Sequence, residues 1–316
     1  MSLIAILLAL LIEQVRPLSP HNLVHQQIQR WTQWIAQHFD AGQPHQAWAT
    51  WGIGVLGPAL LALLVHWFLA TTLGWVVALV WHVAMLYLTL GFRQFSHHFT
   101  DIRDALEKGQ EERARELLAE WQQVSVGDIP RTELLRHVIE FSVLAAHRHV
   151  FGVFFWYAVL SVIGLGPTGA VVYRLTAHMP RQWRADPGHG SSPALVEVAR
   201  RAWVAMDWLP ARATALGFAV VGSFEDAMDG WRHHAQKFPQ DNDGVILAAT
   251  SGAINVQLGG AALGAQEQSD DTAGTDSTPG RPAVLGHLAQ VVGLVWRSVI
   301  MWMLLLALMT MANLLG

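Results

Sequence analysis

The residue types from which a catalytic site can be built are concentrated in one stretch. It opens with Asp207-Trp-Leu-Pro-Ala-Arg212, continues through Gly222-Ser-Phe-Glu-Asp-Ala-Met-Asp-Gly-Trp-Arg232 and closes with Asp241-Asn-Asp-Gly244. Glu225 and Asp229 lie four residues apart, so on a helix they share a face, where paired carboxylates can hold a hard cation such as Mg²⁺. The same residues also admit a structural reading. Ser223 followed three residues later by Asp226 resembles a capping box, and acidic side chains favour the first turn of a helix without any catalytic role. Farther on, Asn255-Val-Gln-Leu-Gly-Gly260, preceded by Ala248-Ala249 and Gly252, supplies small residues that let a backbone approach a ligand closely, or that simply turn the chain.

Other candidates are weaker. The chain has 16 histidines, clustered at His97-His98, His147-x-His149 and His233-His234, but none sits at a recognised metal-ligating spacing with a carboxylate. They read as polar surface or membrane-edge residues. There is no phosphate-binding Gly-x-x-x-x-Gly-Lys-Ser/Thr loop, no Gly-x-Ser-x-Gly elbow and no dinucleotide fingerprint. Cysteine is absent, which excludes disulfides and thiolate chemistry. A net charge of −4 without a basic stripe gives no electrostatic support to a nucleic-acid partner, or to anionic-lipid binding as a main role.

The elements that must position these residues are helices in a lipid solvent. Of the 316 residues 52% are apolar and 14% charged, against about 25% charged in an ordinary soluble domain. From Trp48 to Phe92 the only titratable side chains besides Tyr87 are His66 and His82, and the stretch divides at Thr71-Thr72-Leu73-Gly74 into two expected spans. Residues 291–316 hold a third, with Arg297 snorkelling from its edge. A fourth apolar stretch, residues 150–174, contains Gly164-Leu165-Gly166-Pro167 and reads as a broken span or re-entrant hairpin. The hairpin would place both polar blocks on one, cytoplasmic, side. Residues 1–47 combine a short hydrophobic helix, too short for a comfortable crossing, with a polar helix. The short helix lacks the basic flank and cleavage site of a signal peptide, so it is expected to stay. Tryptophans at segment edges, among them Trp48, Trp51, Trp67, Trp75 and Trp81, are expected to anchor at the membrane interface.

Two polar helical blocks complete the expectation. Residues 93–149 contain a helical face of Leu106, Ala114, Leu117, Leu118 and Trp121, with Gly109 separating two helices and Pro130 restarting a third. Residues 175–290 include a flexible linker ending at Pro193 and a loop at 264–280 too poor in bulky apolar side chains to bury a core. The fold class is therefore all-α, a polytopic integral membrane protein with helical extramembrane blocks.

At these residues the chain resembles the CobD/CbiB cobalamin-biosynthesis family of membrane proteins. The clearest matches are Asp207 to Arg212, Asn242-x-Gly244 through Ala248-Ala249, Gly252 and Val256-x-Leu-Gly-Gly260, and Arg281-Pro282 with Leu285-Gly286. Ala114-Arg115, Glu140, Phe155-Trp156 and Pro167-x-Gly169-Ala170 to Tyr173 match less specifically. The resemblance implies adenosylcobinamide-phosphate synthase activity: ATP activates a propionate carboxylate of adenosylcobyric acid, and aminopropanol or its phosphate attacks through its amine. It further implies Mg²⁺ and ATP as cofactors, a corrinoid small molecule and the bilayer as partners, a bacterial inner-membrane location and an optional homo-oligomer. On this basis Asp207, Glu225 and Glu140 are the expected catalytic residues. Arg212, Asn242, Gly244, Gly259, Gly260 and Arg281 are the expected substrate-binding residues, with Asp226 and Asp229 on the metal.

The chain also departs from the pattern. Where the family carries Glu, Asn and Asp after Glu140, this sequence has Leu144, Ala145 and Arg148. An Asn-Thr-Leu-Asp-Ser type run after Tyr173 and a Leu-Gly-Asp-Pro type opening near Arg16 are missing. In these respects the first half is more similar to AmpE, a related membrane protein implicated in β-lactamase regulation, which implies a non-catalytic signalling modulator as the alternative. A transporter reading would rest on His66, His82 and the Gly164 to Pro167 break, and ranks last.

Overall fold

The computed structural model describes residues 2–15, 23–122, 127, 129–183, 191–260 and 277–315. The expected opening near Arg16, most of the linker before Pro193 and most of the 264–280 loop lie outside them. In chain order the helices are α1 (Ser2–Val15), α2 (Leu23–Phe39), α3 (Pro44–Thr72), α4 (Trp75–Thr89), α5 (Phe92–Glu107), α6 (Glu111–Gln122), α7 (Arg131–Ala146), α8 (Gly152–Val162), α9 (Thr168–Gln182), α10 (Pro193–Val221), α11 (Phe224–His234), α12 (Asp241–Ile254) and α13 (Leu285–Leu315). Among the described residues there is no strand, only two isolated bridges, Val256 with Arg281 and Gly259 with Ser277. The protein is all-α. Among the described residues four helical stretches are long and apolar enough to cross a membrane: Pro44–Thr72, Arg131–Val162, Pro193–Val221 and Leu285–Ala312.

Two of these differ from the expected segmentation. Helix α7 does not stop at the end of the first polar block. A π turn, His147–Phe151, carries it directly into α8, so charged and apolar halves belong to one helix. Helix α10 lies in what composition reads as a polar block, because Glu197, Arg200, Arg201, Asp207 and Arg212 break up its apolar run. Helix α4, conversely, is shorter than the full crossing expected of it: its 15 residues rise only about 22 Å against a hydrocarbon core of about 30 Å. Gly74, at φ 86, starts it, and Leu90 ends it in an extended conformation. The break at Gly164 to Pro167 is observed between α8 and α9, which pack side by side. Gly109, at φ 73, separates α5 from α6 as expected.

The chain divides into two compact units, one of residues Met1–Phe92 and Arg148–Pro210, the other of Arg93–His147 and Ala211–Gly316. The first is built around Ile35, Val55, Ala59, Val171, Leu175, Met179 and Trp183 from α2, α3 and α9. Helix α1 covers α4 with Ala5, Ile6 and Ala9 buried, so it is a protein-covered helix along that face. Inside the unit His82 holds the Tyr157 hydroxyl at 2.8 Å and the His66 ring at 3.1 Å, a hydrogen-bonded chain that satisfies the polar groups α3, α4 and α8 bring together.

Prolines impose a second requirement. Proline has no N–H, so Pro58 in α3 cannot bond the carbonyl of Gly54, nor Pro210 in α10 that of Met206. Both orphaned carbonyls are taken up by tryptophan: Trp31 Nε1 donates to Gly54 O at 3.1 Å and Trp156 Nε1 to Met206 O at 3.0 Å. Trp81 and Trp183 likewise donate, to Ala62 O at 3.3 Å and Thr32 O at 3.1 Å. Several tryptophans thus staple helices together, whereas Trp48 and Trp75 stay exposed, as interfacial anchors do.

The staple predicts a double-mutant cycle. Trp156→Phe should destabilise the protein by about 1–3 kcal/mol, because the Met206 carbonyl loses its donor. In a Pro210→Ala background, where a backbone N–H restored at that position can bond the carbonyl, the same change should cost markedly less. Denaturation of the four proteins in detergent micelles reads the coupling; equal costs in both backgrounds would show that the indole acts only by packing.

Candidate functional site

The second unit contains a cleft of about 260 Å³ lined by α7, the segment before α12, α12 itself and the Gly259-Gly260 turn. Its base is Arg136, whose side chain is only 6% exposed. Glutamates one turn to either side hold it, Glu133 at 2.5 Å and Glu140 at 3.0 Å, and a further bond runs to His137 Nε2 at 3.0 Å. The i−3 and i+4 spacing makes this cluster a product of the helix itself.

Glu140 also reaches across the chain. Its Oε1 accepts the backbone N–H of Gly259 at 2.7 Å, over a separation of 119 residues. Gly259 and Gly260 adopt φ 84 and 100, conformations that side-chain-bearing residues rarely take, and this lets the turn present an N–H to the carboxylate. The turn is pinned from behind. Asn255 caps α12 in the left-handed region, Gln257 N–H bonds Arg281 O at 2.8 Å and Thr278 N–H bonds Leu258 O at 2.7 Å. Asp243 and Leu247 of α12, Phe238 and Pro239 also line it, as do Phe141 and Leu144 of α7. The wall carries one cation and two carboxylates, Arg136, Glu140 and Asp243, and Glu133 neutralises the cation. A cationic or hydrogen-bond-donating group suits it better than an anion.

Of the expected residues, Glu140, Gly259 and Gly260 come together in this cleft. Arg212 Nη1 donates to the Asn242 side-chain oxygen Oδ1 at 3.2 Å within the same unit. Arg281 is exposed and acts through its backbone, pairing with Asn255 and Gln257. Gly244 approaches the Ala235 carbonyl, and Gly252 the Asp226 carbonyl, so closely that an added Cβ would lie 2.3 and 2.1 Å away. The small residues of α12 are therefore used against the backbone around α11. Glu225, Asp226 and Asp229 lie exposed on α11; Ser223 donates to Asp226 at 2.6 Å, and Asp229 pairs with His233 at 3.0 Å. Beside them, burial first and Lys237 second hold His234 below the ordinary histidine value. Among the described residues no three His, Asp or Glu side chains converge on a metal position. Asp207 belongs to the other unit, where it is fully buried and accepts the Tyr173 hydroxyl at 2.8 Å.

A family model described as CobD/Cbib protein matches residues 2–295. The chain belongs to the CobD/CbiB family. It is similar to the cobalamin biosynthesis protein CobD of Stutzerimonas stutzeri, 29% identical over 282 residues that cover 86% of each chain. It is also similar to the protein of the same name from Chromobacterium violaceum, 30% identical over 224 residues and 67% of each chain. No solved structure matches. Against the family pattern, Leu144 lines the cleft one turn after Glu140, where the resemblance leads one to expect an acid, and Ala145 is buried.

Arg136 and His137 were not singled out by the sequence, and Asp243 stood there only as part of the Asp241-Asn-Asp-Gly244 run, without a role of its own. The signal for Arg136 was available: a basic residue with glutamates at i−3 and i+4 just where an amphipathic helix turns apolar. Its prediction is direct. Glu140→Ala leaves a buried guanidinium with one partner fewer and should cost about 3–5 kcal/mol, while Glu140→Gln, which retains an acceptor for Gly259, should cost clearly less. Thermal denaturation of both variants checks the order, and equal losses would remove the assigned role.

Proposed function

We propose that this protein acts in cobalamin biosynthesis in the cell membrane as an adenosylcobinamide-phosphate synthase-like ligase. It joins a propionate carboxylate of adenosylcobyric acid to the amine of aminopropanol or its phosphate, using ATP to activate the carboxylate. Family membership supports the pathway, and the cleft formed by Glu140 with Gly259-Gly260 is the observation that carries the site. Pockets for whole ligands run to about 300–1,000 Å³, so a cleft of about 260 Å³ admits a small group rather than a corrinoid or a nucleotide. A protonated amine fits its two carboxylates. In this reading Glu140 and Asp243 hold the ammonium, and Glu140 accepts the proton that the amine must lose before it attacks. Asp207 positions α10 through Tyr173, and Arg212 and Asn242 border the substrate.

Mg²⁺ enters as part of the nucleotide substrate. Such an ion needs only one or two protein carboxylates beside the phosphates, which Glu225, Asp226 and Asp229 on α11 supply without a closed cage. A second, regulatory reading, in the manner of AmpE, is favoured by Leu144 in the cleft wall and by Ala145 and Arg148, which replace the Glu, Asn and Asp that the resemblance implies at these positions.

Complementation separates the two. Cells lacking the synthase and supplied with cobyric acid should recover cobinamide-phosphate formation on expression of this chain, and Glu140→Gln should lower the rate by about a hundredfold. Failure of the unmutated, membrane-inserted protein to restore the product, together with an altered β-lactam response on deletion, would favour the regulatory reading.

A further inference from the structure

The first unit carries, on α10, a surface that the cleft chemistry does not use. Arg200 and Arg201 are adjacent and exposed, with side-chain accessibilities of 61% and 66%, and both bond one carboxylate. Arg200 donates to Glu197 at 2.8 and 2.9 Å and Arg201 at 2.6 Å. These three bonds use three of the ten N–H donors that two guanidinium groups offer. The triad retains a net charge of +1, and Glu197 holds two planar forks side by side.

Directly C-terminal, Val204, Ala205, Trp208 and Leu209 line a groove of about 520 Å³ whose upper rim is the arginine pair. Val204, Trp208 and Leu209 are 40%, 49% and 48% exposed. The groove also has a defined depth. The charged residues of α10 are Glu197, Arg200, Arg201, Asp207 and Arg212, so three of the five are clustered at 197–201 and the helix is predominantly apolar from Ala202 on. The arginines therefore stand at the edge of the apolar stretch, and the groove lies in its first turns. A tryptophan there matches the level of lipid headgroups.

We propose that Arg200 and Arg201 form a binding site for an anionic glycerophospholipid. The phosphate sits on the guanidinium forks, and the upper acyl chain lies along Val204, Trp208 and Leu209. Charge decides the occupant. A cationic pair already bridged by one acid still attracts a second anion, and the groove leading from it accepts hydrocarbon and no polar group.

The test uses the full chain in a neutral detergent, titrated with phosphatidylglycerol or with phosphatidylcholine of the same acyl chains and read by native mass spectrometry. Phosphatidylglycerol should bind preferentially, and Arg200→Ala/Arg201→Ala should weaken it about ten- to thirtyfold with phosphatidylcholine binding and melting temperature unchanged. Arg113→Ala, at an exposed position of α6, should change nothing. Equal binding of the two lipids, retention of phosphatidylglycerol binding by the double variant, or displacement by inorganic phosphate alone would overturn the site. If the double variant does not purify folded, Arg201→Gln alone should weaken binding about threefold to fivefold.

Discussion

The constraint on which this structure depends is that a backbone carbonyl in an apolar solvent must find a donor. Water is absent from the bilayer core, and an unsatisfied carbonyl there costs several kcal/mol. An all-helical chain meets most of the demand internally, but this one places proline inside spans and breaks a helix at Gly164 to Pro167. The indole donors of Trp31 and Trp156 close the gaps left by Pro58 and Pro210, Trp67 reaches Gly164 O at 3.4 Å, and Ser161 donates to Gly166 O at 3.1 Å. Packing follows from these bonds, since each fixes the face that one helix turns toward its neighbour.

The same demand governs the cleft. Arg136 can be buried because glutamates on its own helix satisfy it, and Glu140 also accepts the Gly259 N–H. A carboxylate that neutralises a buried cation and also receives a backbone N–H ties the turn to α7. The charged end of the pocket is thus set by electrostatics, and Asp243 is added to it from α12, a helix whose glycines pack against the backbone around α11.

Long uncharged runs were legible in the sequence, because from Trp48 to Phe92 there is no Asp, Glu, Lys or Arg and glycine marks the turns. The break after Val162 was legible for the same reason. Helix α10 was legible as a helix but not as a span, since five charged residues dilute its hydropathy while its length and exposed Val204, Leu209, Leu216 and Val220 still suit lipid. Nor was the continuity of α7 with α8, because a π turn leaves no compositional mark. At the site, Glu140 and Gly259-Gly260 each stood out through resemblance, but no periodicity links residues 119 apart. Their meeting is a property of the fold alone.

The proline and tryptophan pairs also constrain how the family can change. A span proline without its indole leaves a bare carbonyl, and an indole without its proline has only a carbonyl already bonded. The favourable order of substitution is therefore fixed: the tryptophan must arrive before the proline and depart after it. Among relatives, positions 31 with 58 and 156 with 210 should accordingly vary as pairs, with tryptophan lacking proline as the tolerated intermediate and proline lacking tryptophan the rare one.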